Sequence, residues 1–529
     1  MNPSPQSSSP SVEAVLPLTP LQEGLLFHAS YDERGVDVYL TQTPVELTGP
    51  VRVADLRTAC EALLRRHPAL RAGFLTRKSG EPVQVVRRAV EVPWREVDLS
   101  VLAEGEREAA LGELLRADLA ERFDPAAPPL VRFALVRMAA ERHVLVMTNH
   151  HILLDGWSLP LVLRDLLALY TDGGVGLPEP VAFRDYLVWL SRQDRVAAGA
   201  AWRRALEDLD EPTLLVPWAR SVPSTELPRH LTVELGEEET AALAGAARAR
   251  GLTLNTVVQS AWALTLAQLT GRRDVVFGAT VSGRPPELPG VEDMVGLLIN
   301  TVPVRVRVDP AERFEDLARR VQSEQAELAP HQHLPLADIQ RGAGLGELFD
   351  TALVFENYPD APDALPLLGD TLRLARMRGV DAYHYPLSVT VVPGARLRLR
   401  LTHRPELLDH ETTDWAAAEL SALLTAFAAR PQQAVGSHGA RSAMVRPAAA
   451  TGPGAVREEA LRSLFAEVLG VGEVLGHDNF FLLGGDSLLA LRLAGRIQEA
   501  WAVPVGPRTV FESPTPVSLA ERLAGHGTG

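Results

Sequence analysis

The chain has 529 residues, of which 46% are hydrophobic and 22% are charged. This is the composition of an ordinary globular protein, and the length suffices for about three domains of 100–200 residues each. The net charge of −15 argues against nucleic acid or an anionic membrane as the partner, and the single cysteine excludes an internal disulfide.

The first predicted elements follow a polar lead-in. Residues 1–12 are rich in Ser and Pro, and we expect them to be disordered. They lack the apolar stretch of a secretory signal, and no apolar run of 18 residues follows, so we expect a cytosolic protein without a membrane partner. Thr19 is the predicted N-cap, and Pro20 the first residue, of a helix whose apolar residues recur at helical spacing.

A second helix is predicted over residues 55–67, and strands are predicted at 83–87, 131–137 and 143–149. Cys60 falls at helical spacing with the apolar residues of this second helix. We therefore interpret it as a core residue and not as a nucleophile.

One turn between a buried strand and a helix holds the residues with the most chemical capacity. His150 and His151 follow the apolar strand, Asp155 and Gly156 come next, and Ser158 is the predicted N-cap of the following helix. Loops at strand ends are where a rigid scaffold presents reactive groups. Adjacent residues of an extended chain point to opposite faces, so we expect one of the two histidines to be structural.

The second half of the chain alternates strands and helices, as an α/β sandwich does. A strand is predicted at 230–235, and helices at 237–249 and 254–270. A further buried strand, at about 274–281, ends in the loop Ser282-Gly283-Arg284-Pro285. This half holds no second HHxxxDG pattern.

The last hundred residues change character. Residues 433–455 are small, rich in Pro and Gly and unpatterned, which predicts a linker. Helical periodicity then returns, in Leu461, Leu464, Phe465, Val468 and Leu469. Ser487 follows two glycines and is predicted to start a second helix, where a phosphodiester on its hydroxyl would lie at the positive helix end. Thr515 and Pro516 are predicted to cap a short last helix.

These motifs together resemble a known family. HHxxxDG at 150–156, LTPLQEGLLFHA at 18–29 and RHxxLRxxF at 66–74 resemble the condensation domains of non-ribosomal peptide synthetases, which are acyltransferases similar to chloramphenicol acetyltransferase. FFLLGGDSL at 480–488 resembles the attachment motif of a peptidyl carrier domain.

The resemblance implies an α/β fold. Two chloramphenicol acetyltransferase-like sandwich lobes, residues 13–178 and 179–432, would form a V-shaped pseudo-dimer with a tunnel between them. A small all-α helical bundle, residues 456–525, would be the carrier domain.

It also implies a reaction, in which the α-amine of an acceptor aminoacyl thioester attacks a donor acyl or peptidyl thioester. A free α-amine has a pKa of about 8, so positioning contributes as much as proton removal. His151 would orient the amine and accept its proton, with His150 beside it and the Gly156 N–H as a candidate oxyanion donor. Asp155 would be paired with Arg66, or failing that with Arg71.

The resemblance further suggests residues that line the tunnel: Gln22, Gly24, Trp157, Ser282, Arg284 and Asn300. For Ser282, Arg284 and Asn300, turn chemistry and a strand-end hydrogen bond explain the same residues equally well.

On the carrier, Ser487 would hold 4′-phosphopantetheine. The implied partners are an upstream donor carrier domain, an adenylation domain in trans or in the intact synthetase, a phosphopantetheinyl transferase, and aminoacyl or peptidyl thioesters. No adenylation motif lies between the two predicted domains, which departs from the usual family arrangement.

The same motifs admit other interpretations. A metal site at the histidine pair is not expected, because adjacent histidines diverge and no acidic or cysteine cluster is nearby. A hydrolase using the GDSL of residues 485–488 is rejected, because only 42 residues follow Ser487. A catalytically silent platform that recruits tailoring enzymes to the carrier remains the alternative function. The wording of the motifs favours a D-configured donor and an L-configured acceptor.

Overall fold

The computed structural model of the protein describes residues 11–31, 37–216, 226–357, 367–368, 372–377, 385–437, 455–471, 474–484, 489–490, 492–494, 496–497 and 507–525. Its strands are β1 Val12–Leu16, β2 Leu40–Thr48, β3 Ala72–Thr76, β4 Pro82–Arg87, β5 Trp94–Asp98, β6 Val131–Ala139, β7 Arg142–His150, β8 Arg229–Glu234, β9 Asp274–Val281, β10 Asn300–Arg307, β11 Thr351–Phe355, β12 Leu367–Leu368, β13 Leu372–Met377, β14 Leu387–Val392 and β15 Arg398–His403.

Its α-helices are α1 Pro20–Tyr31, α2 Val53–Arg66, α3 Glu104–Ala120, α4 Ser158–Asp172, α5 Phe183–Ser191, α6 Arg195–Ala205, α7 Glu237–Arg248, α8 Leu254–Thr270, α9 Phe314–Leu328, α10 Leu336–Ala343, α11 His410–Ala429, α12 Ala455–Leu469, α13 Pro507–Glu512 and α14 Pro516–Gly525. No helix among the described residues is both long and apolar enough to cross a membrane.

The first lobe is built on a six-stranded sheet in the order β12-β13-β2-β7-β6-β5, with the three-stranded sheet β1-β4-β3 beside it. β2 and β7 pair antiparallel from Leu40 opposite His150 to Thr48 opposite Arg142. Cys60 is fully buried in the core of this lobe, and burial raises the pKa of its thiol, as a core residue requires.

The second lobe carries its own six-stranded sheet, in the order β10-β9-β11-β14-β15-β8. β11 runs parallel to β9 and β14, so the carboxyl ends of these three strands meet at one edge. β10 runs antiparallel to β9 and begins at that same edge with Asn300. α8 is buried on nearly all sides, with Trp262 in its middle, and fills the core between this sheet and α11.

Two strands of the second half of the chain, β12 and β13, complete the sheet of the first lobe. β13 lies in the second half of the chain, yet it pairs antiparallel with β2 of the first sheet, with Arg373 opposite Thr48. The single division expected after residue 178 therefore does not separate the sheets, because strand pairing joins segments more than 300 residues apart and leaves no local signal.

The predicted linker begins later than expected. The Val435 N–H donates to the Glu312 carbonyl and the Gly436 N–H to the Pro310 carbonyl, both at 2.9 Å. Residues 433–437 are thereby fixed to the second lobe. Residues 438–454 of the predicted linker lie outside the described residues, as do residues 1–10 of the lead-in. Val12 already belongs to β1, so the lead-in is shorter than expected.

The carrier region is helical where it is described. Leu461, Phe465 and Phe480 are fully buried in a small core that α12 and α14 share with helical residues 489–497, as far as these are described. The cap predicted at Thr515 is present: its hydroxyl accepts the Ser518 N–H at 3.1 Å. Ser487 lies outside the described residues. The helical expectation for this region is confirmed.

Most predicted elements of the lobes appear within a few residues of their expected bounds. The helix expected at 55–67 is α2, the strand expected at 143–149 is β7, and the helix expected at 254–270 is α8. The Thr19 hydroxyl accepts the Gln22 N–H at 3.3 Å, which confirms the predicted N-cap of α1.

Candidate active site

The histidine turn leaves β7 at its carboxyl end. The His151 N–H still donates to the Tyr39 carbonyl at 2.8 Å, so the backbone of this residue is fixed as the strand ends. Its imidazole is half-buried, and Nδ1 lies 2.9 Å from the Leu154 carbonyl oxygen. Because a carbonyl only accepts, Nδ1 must carry the proton. The neutral ring therefore presents an unprotonated Nε2, which is the form that a general base needs.

His150 has the opposite environment. Its side chain is fully buried, and its Nδ1 accepts the Ile152 N–H at 3.1 Å. Burial lowers the pKa of His150 to about 4, although the nearby Asp37 acts against that change. A ring that solvent cannot reach does not contact substrate. His150 is therefore the structural member of the pair, and its inclusion with the catalytic groups beside His151 is corrected.

Asp155 is buried, and its partner is not the arginine expected from the sequence. Its two oxygens accept bidentate hydrogen bonds from Arg284, at 2.9 Å from Nη1 and 3.1 Å from Nη2. It also accepts the Leu298 N–H at 3.0 Å and the Ser158 hydroxyl at 2.7 Å. Arg284 and Leu298 belong to the second lobe, so this carboxylate joins the two lobes directly behind His151.

The electrostatics explain how a buried carboxylate stays charged. Burial by itself would raise the pKa of Asp155, but the charge and hydrogen bonds of Arg284, with those of Ser158 and Leu298, hold the pKa below its ordinary value. Asp155 Oδ1 also accepts the Ser158 N–H at 2.9 Å. Ser158 is thus the first residue of α4 and not its N-cap, and Asp155 supplies the acceptor that a cap would provide.

The two arginines predicted to pair with Asp155 have other partners. Arg66 Nε donates to Asp165 Oδ2 at 2.7 Å, and His67 lies 3.0 Å from the same oxygen. Arg71 is buried and its Nη1 donates to Glu13 at 2.7 Å. Both arginines therefore tie the motif around residues 66–71 into the first lobe, and the assignment to Asp155 was wrong.

Two glycines of the second lobe keep the backbone beside Asp155 closely packed. Gly283 has φ +61°, and a Cβ at this position would lie 1.8 Å from the Leu298 carbonyl oxygen. A Cβ at Gly296 would lie 2.3 Å from the ring of Phe183. The Gly296 carbonyl accepts from the Ser158 hydroxyl at 2.8 Å. A larger residue at Gly283 would have to move the backbone at Leu298, which holds Asp155, and one at Gly296 would have to displace the Phe183 ring.

Two of the predicted tunnel residues prove to be supports. Gln22 is buried, and its Nε2 donates to the Ile152 carbonyl at 3.0 Å. Asn300 is buried, and its Nδ2 donates to the carbonyls of Gln332 and Leu334, at 2.8 and 2.9 Å. Both side chains are buried and donate to the protein's own carbonyls, so they act as supports for the backbone. With Arg284, they correct the tunnel prediction.

Three other tunnel candidates remain accessible. Ser282 is exposed, and a Cβ at Gly24 would have no atom within 4 Å. Trp157 is half-buried; its Nε1 donates to the Glu292 carbonyl at 2.8 Å, and its ring lies 5.2 Å from the Arg284 guanidinium. The tunnel assignment of these three stays a prediction.

Gly156 is half-buried beside the catalytic turn. Within the described part of the chain, its N–H makes no hydrogen bond. This N–H is therefore available to an incoming oxyanion, and the role of oxyanion donor stays a prediction.

Two surface cavities lie elsewhere. One, of about 370 Å³, is bordered by α6, β10 and α9 and includes Trp202, Arg305 and Glu324 in its lining. The other, of about 700 Å³, includes Arg273 and Asp274. Neither is lined by the histidine turn, so they are separate from it.

Arg284 was predicted only as a tunnel residue, and its contact with Asp155 was missed. The signal that was available is the Gly-Arg-Pro sequence directly after a buried strand, which aims a cation at the edge where strand ends meet. No local pattern indicates that two residues 129 positions apart will pair.

Comparison with known proteins agrees with this geometry. Residues 12–443 match the family model described as the condensation domain, and residues 459–523 match the phosphopantetheine attachment site. The chain is 35% identical over 474 residues to chondramide synthase cmdD of Chondromyces crocatus, covering 80% of this chain and 12% of that protein. It is 32% identical over 423 residues to tyrocidine synthase 2 of Brevibacillus parabrevis, covering 78% and 12%. The chain thus spans a small part of both relatives.

Solved structures show the same fold. The first condensation domain of the calcium-dependent antibiotic synthetase has a TM-score of 0.67 at 24% identity, covering 81% of this chain and all of that one. The starter condensation domain of rhizomide synthetase has a TM-score of 0.68 at 20% identity, covering 80% and 97%.

Proposed function

The chain belongs to the condensation-domain family and carries a phosphopantetheine-attachment domain behind it, and from this premise we propose that it forms peptide bonds between carrier-bound thioesters. The α-amine of an acceptor aminoacyl thioester would attack the carbonyl of a donor acyl or peptidyl thioester. The observation that carries the proposal is the state of His151, whose Nδ1–H is held by the Leu154 carbonyl so that Nε2 is left as a base.

His151 has two tasks in this proposal. Its Nε2 accepts a hydrogen bond from the attacking amine, which orients the nitrogen lone pair toward the carbonyl. As the bond forms, Nε2 takes the proton from that nitrogen. The Gly156 N–H faces no acceptor among the described residues and would donate to the oxygen that becomes negative.

Asp155 acts indirectly in this proposal. Its ion pair with Arg284 is buried, so it cannot exchange protons with substrate near neutral pH. It holds the turn against the second lobe, and so fixes the distance between His151 and whatever the second lobe presents.

Reaction of donor and acceptor thioesters with the phosphopantetheinylated protein tests the proposal. His151→Ala should lower the rate of amide formation by about 10²–10⁴-fold, the usual contribution of a positioned base. The half-buried ring makes few contacts, so the thermal midpoint should stay near that of wild type. Equal rates from both proteins would rule out His151 as the base, and no product above the protein-free rate from either would favour the silent platform.

We propose Ser487 as the attachment residue, because it occupies the serine of the FFLLGGDSL motif within the matched residues. The phosphopantetheine arm, once attached, holds the acyl group as a thioester. The described residues before Ser487 form a turn that ends at Gly484 with φ +99°, and helical residues resume at 489. This turn-to-helix arrangement suits a phosphodiester at a helix start.

Intact mass after treatment with a phosphopantetheinyl transferase and coenzyme A tests this assignment. One phosphopantetheine should be added to wild type and none to Ser487→Ala. A gain that survives this substitution would place the arm on another residue.

The partners follow from the same proposal. The protein would receive its donor from an upstream carrier domain, and its own carrier would be loaded by an adenylation domain in trans or elsewhere in a longer synthetase. The D-donor and L-acceptor preference and the cytosolic location stay predictions. Assaying matched D- and L-donor thioesters tests the first: a faster reaction with the L-donor would contradict it.

A further inference from the structure

A buried carboxylate, in the segment that precedes β2, lies near His150. Asp37 Oδ2 lies 3.7 Å from His150 Nε2, and the two side chains are 3% and 0% exposed. Asp37 lies just before β2, whose first residue, Leu40, pairs with His150. No motif drew attention to Asp37 in the sequence.

The nitrogen of His150 that carries the hydrogen is the one nearest this carboxylate. Nδ1 of the ring accepts the Ile152 N–H at 3.1 Å, so in the neutral ring the proton is on Nε2. That nitrogen makes no hydrogen bond to the described residues, and the oxygen facing it is that of Asp37. At 3.7 Å the contact is electrostatic, and hydrogen bonds in active sites commonly shorten when substrate binds.

Asp37 also holds the neighbouring backbone. Its Oδ1 accepts the Tyr39 N–H at 3.0 Å. The Tyr39 carbonyl in turn accepts the His151 N–H at 2.8 Å. The same carboxyl group thus meets the turn twice, once through the ring of His150 and once through the peptide that supports His151.

The other groups that act electrostatically on His150 are its neighbour His151 and the guanidinium of Arg122. Both carry positive or potential positive charge. Asp37 is therefore the negative group that balances them beneath the turn.

We propose that Asp37 is a positioning residue of the condensation reaction: its carboxylate orients the Nε2–H of His150 and the Tyr39 peptide, and through them it aims the imidazole of His151. This inference rests on the proposed function, because it concerns the orientation of the His151 imidazole during the condensation reaction.

Substitutions at Asp37 separate charge from turn geometry. Asp37→Asn keeps an oxygen for the Tyr39 N–H and removes the charge that faces His150. Asp37→Glu restores the charge. The matched control is Asp124→Asn, because Asp124 Oδ1 also accepts the N–H of the residue two positions on, Ala126 at 2.9 Å, but Asp124 is exposed and is not among the charged groups that act on His150.

Kinetics provide the first readout. Asp37→Asn should lower kcat for amide formation by about 10–100-fold, as small misplacements of reacting groups do, with KM within about twofold of wild type. Asp37→Glu should recover part of that loss, and Asp124→Asn should lose nothing.

Because Asp37 would act through His151, adding Asp37→Asn to His151→Ala should cause no further loss. An equal loss in both backgrounds would mean a general structural effect and would overturn the proposal.

A spectroscopic readout does not depend on turnover. In protein labelled with 15N-histidine, the His150 Nε2–H proton, assigned by its absence in His150→Gln, should move upfield in Asp37→Asn and stay in place in Asp124→Asn. If the resonance moves but wild type forms no amide, the condensation function fails and the contact stands. If wild type is active and Asp37→Asn changes neither kcat nor the resonance, the positioning role is wrong.

Discussion

Burial of His150 makes the stability of the first lobe depend on pH. An imidazole that titrates near 6.5 in the unfolded chain and near 4 in the fold binds its proton more tightly when unfolded. Acid therefore favours the unfolded state. The contribution of this residue is complete above about pH 6.5 and is lost as the pH falls toward 4, by up to about 3 kcal/mol.

The prediction is a steeper loss of unfolding free energy in this window for wild type than for His150→Gln, which cannot be protonated. Urea titrations from about pH 4 to pH 7 measure it. His230 is exposed on β8, so His230→Gln should keep the wild-type slope. A His150→Gln slope equal to wild type would show that the ring is charged in the fold.

The bond between Asp155 and Arg284 leads to a stability prediction of its own. Asp155→Asn leaves a buried guanidinium, 4% exposed, without its charge partner. Breaking a buried pair from one side costs about 3–5 kcal/mol. We expect chemical denaturation to show a decrease of that size in the free energy of unfolding. The substitution should damage folding at least as much as it damages activity.

The matched control is Glu81→Gln, which breaks the exposed pair with Arg77 and should change stability by less than about 0.5 kcal/mol. A well-folded Asp155→Asn protein that has lost only its chemistry would give Asp155 a direct catalytic role instead.

For single residues, the sequence predicted which side chains are important better than it predicted the contacts that they make. Of the two histidines, the one predicted to act on substrate is the one that the fold leaves accessible, and Asp155 is the structural carboxylate that its position suggested. The identity of its partner was missed, since the choice among Arg66, Arg71 and Arg284 is made by the packing of two lobes. That packing has no local pattern.

Among the elements, the close packing of Gly296 against α5 has measurable consequences. Gly296→Ala would place a Cβ 2.3 Å from the Phe183 ring, and overpacking of this kind costs about 1–3 kcal/mol. Gly112, in the middle of α3, has no atom within 4 Å of the Cβ it would gain. Gly112→Ala should therefore stabilise the protein by about 0.5–1 kcal/mol.

Thermal unfolding of the two glycine variants, run side by side, tests the comparison. A neutral or stabilising effect at Gly296 would mean that Phe183 moves aside freely, and the packing of α5 against residue 296 would then not depend on this glycine.

Helices and strands with complete apolar patterns were predictable, and those that depend on distant partners were not. α8 and β7 are buried along most of their length, so each appears in the sequence as a predominantly apolar segment. β5 is half-exposed and carries an incomplete pattern, and β13 is defined by its pairing with β2. Both were missed for these reasons.

For the whole molecule, the pairing of β13 with β2 means that the lobes are not independent units. A fragment of residues 11–178 would lack β13 along β2 and would leave Asp155 without Arg284. We expect this fragment to show no cooperative unfolding transition by circular dichroism, whereas residues 11–437 should unfold as one unit. A fragment that folds alone would show that β13 is dispensable.

The attachment of residues 435–436 to Pro310 and Glu312 determines where the carrier domain is tethered and how far it can reach. β10 begins next to the catalytic turn and ends at Arg307, about 25 Å away along the strand, and the chain leaves the second lobe just beyond that end. Residues 438–454 can bridge at most about 60 Å. The phosphopantetheine-attachment domain is thus tethered at the end of the second lobe that lies far from the His151 imidazole. The tether is long enough for this domain to reach the His151 site or the corresponding site of a neighbouring domain.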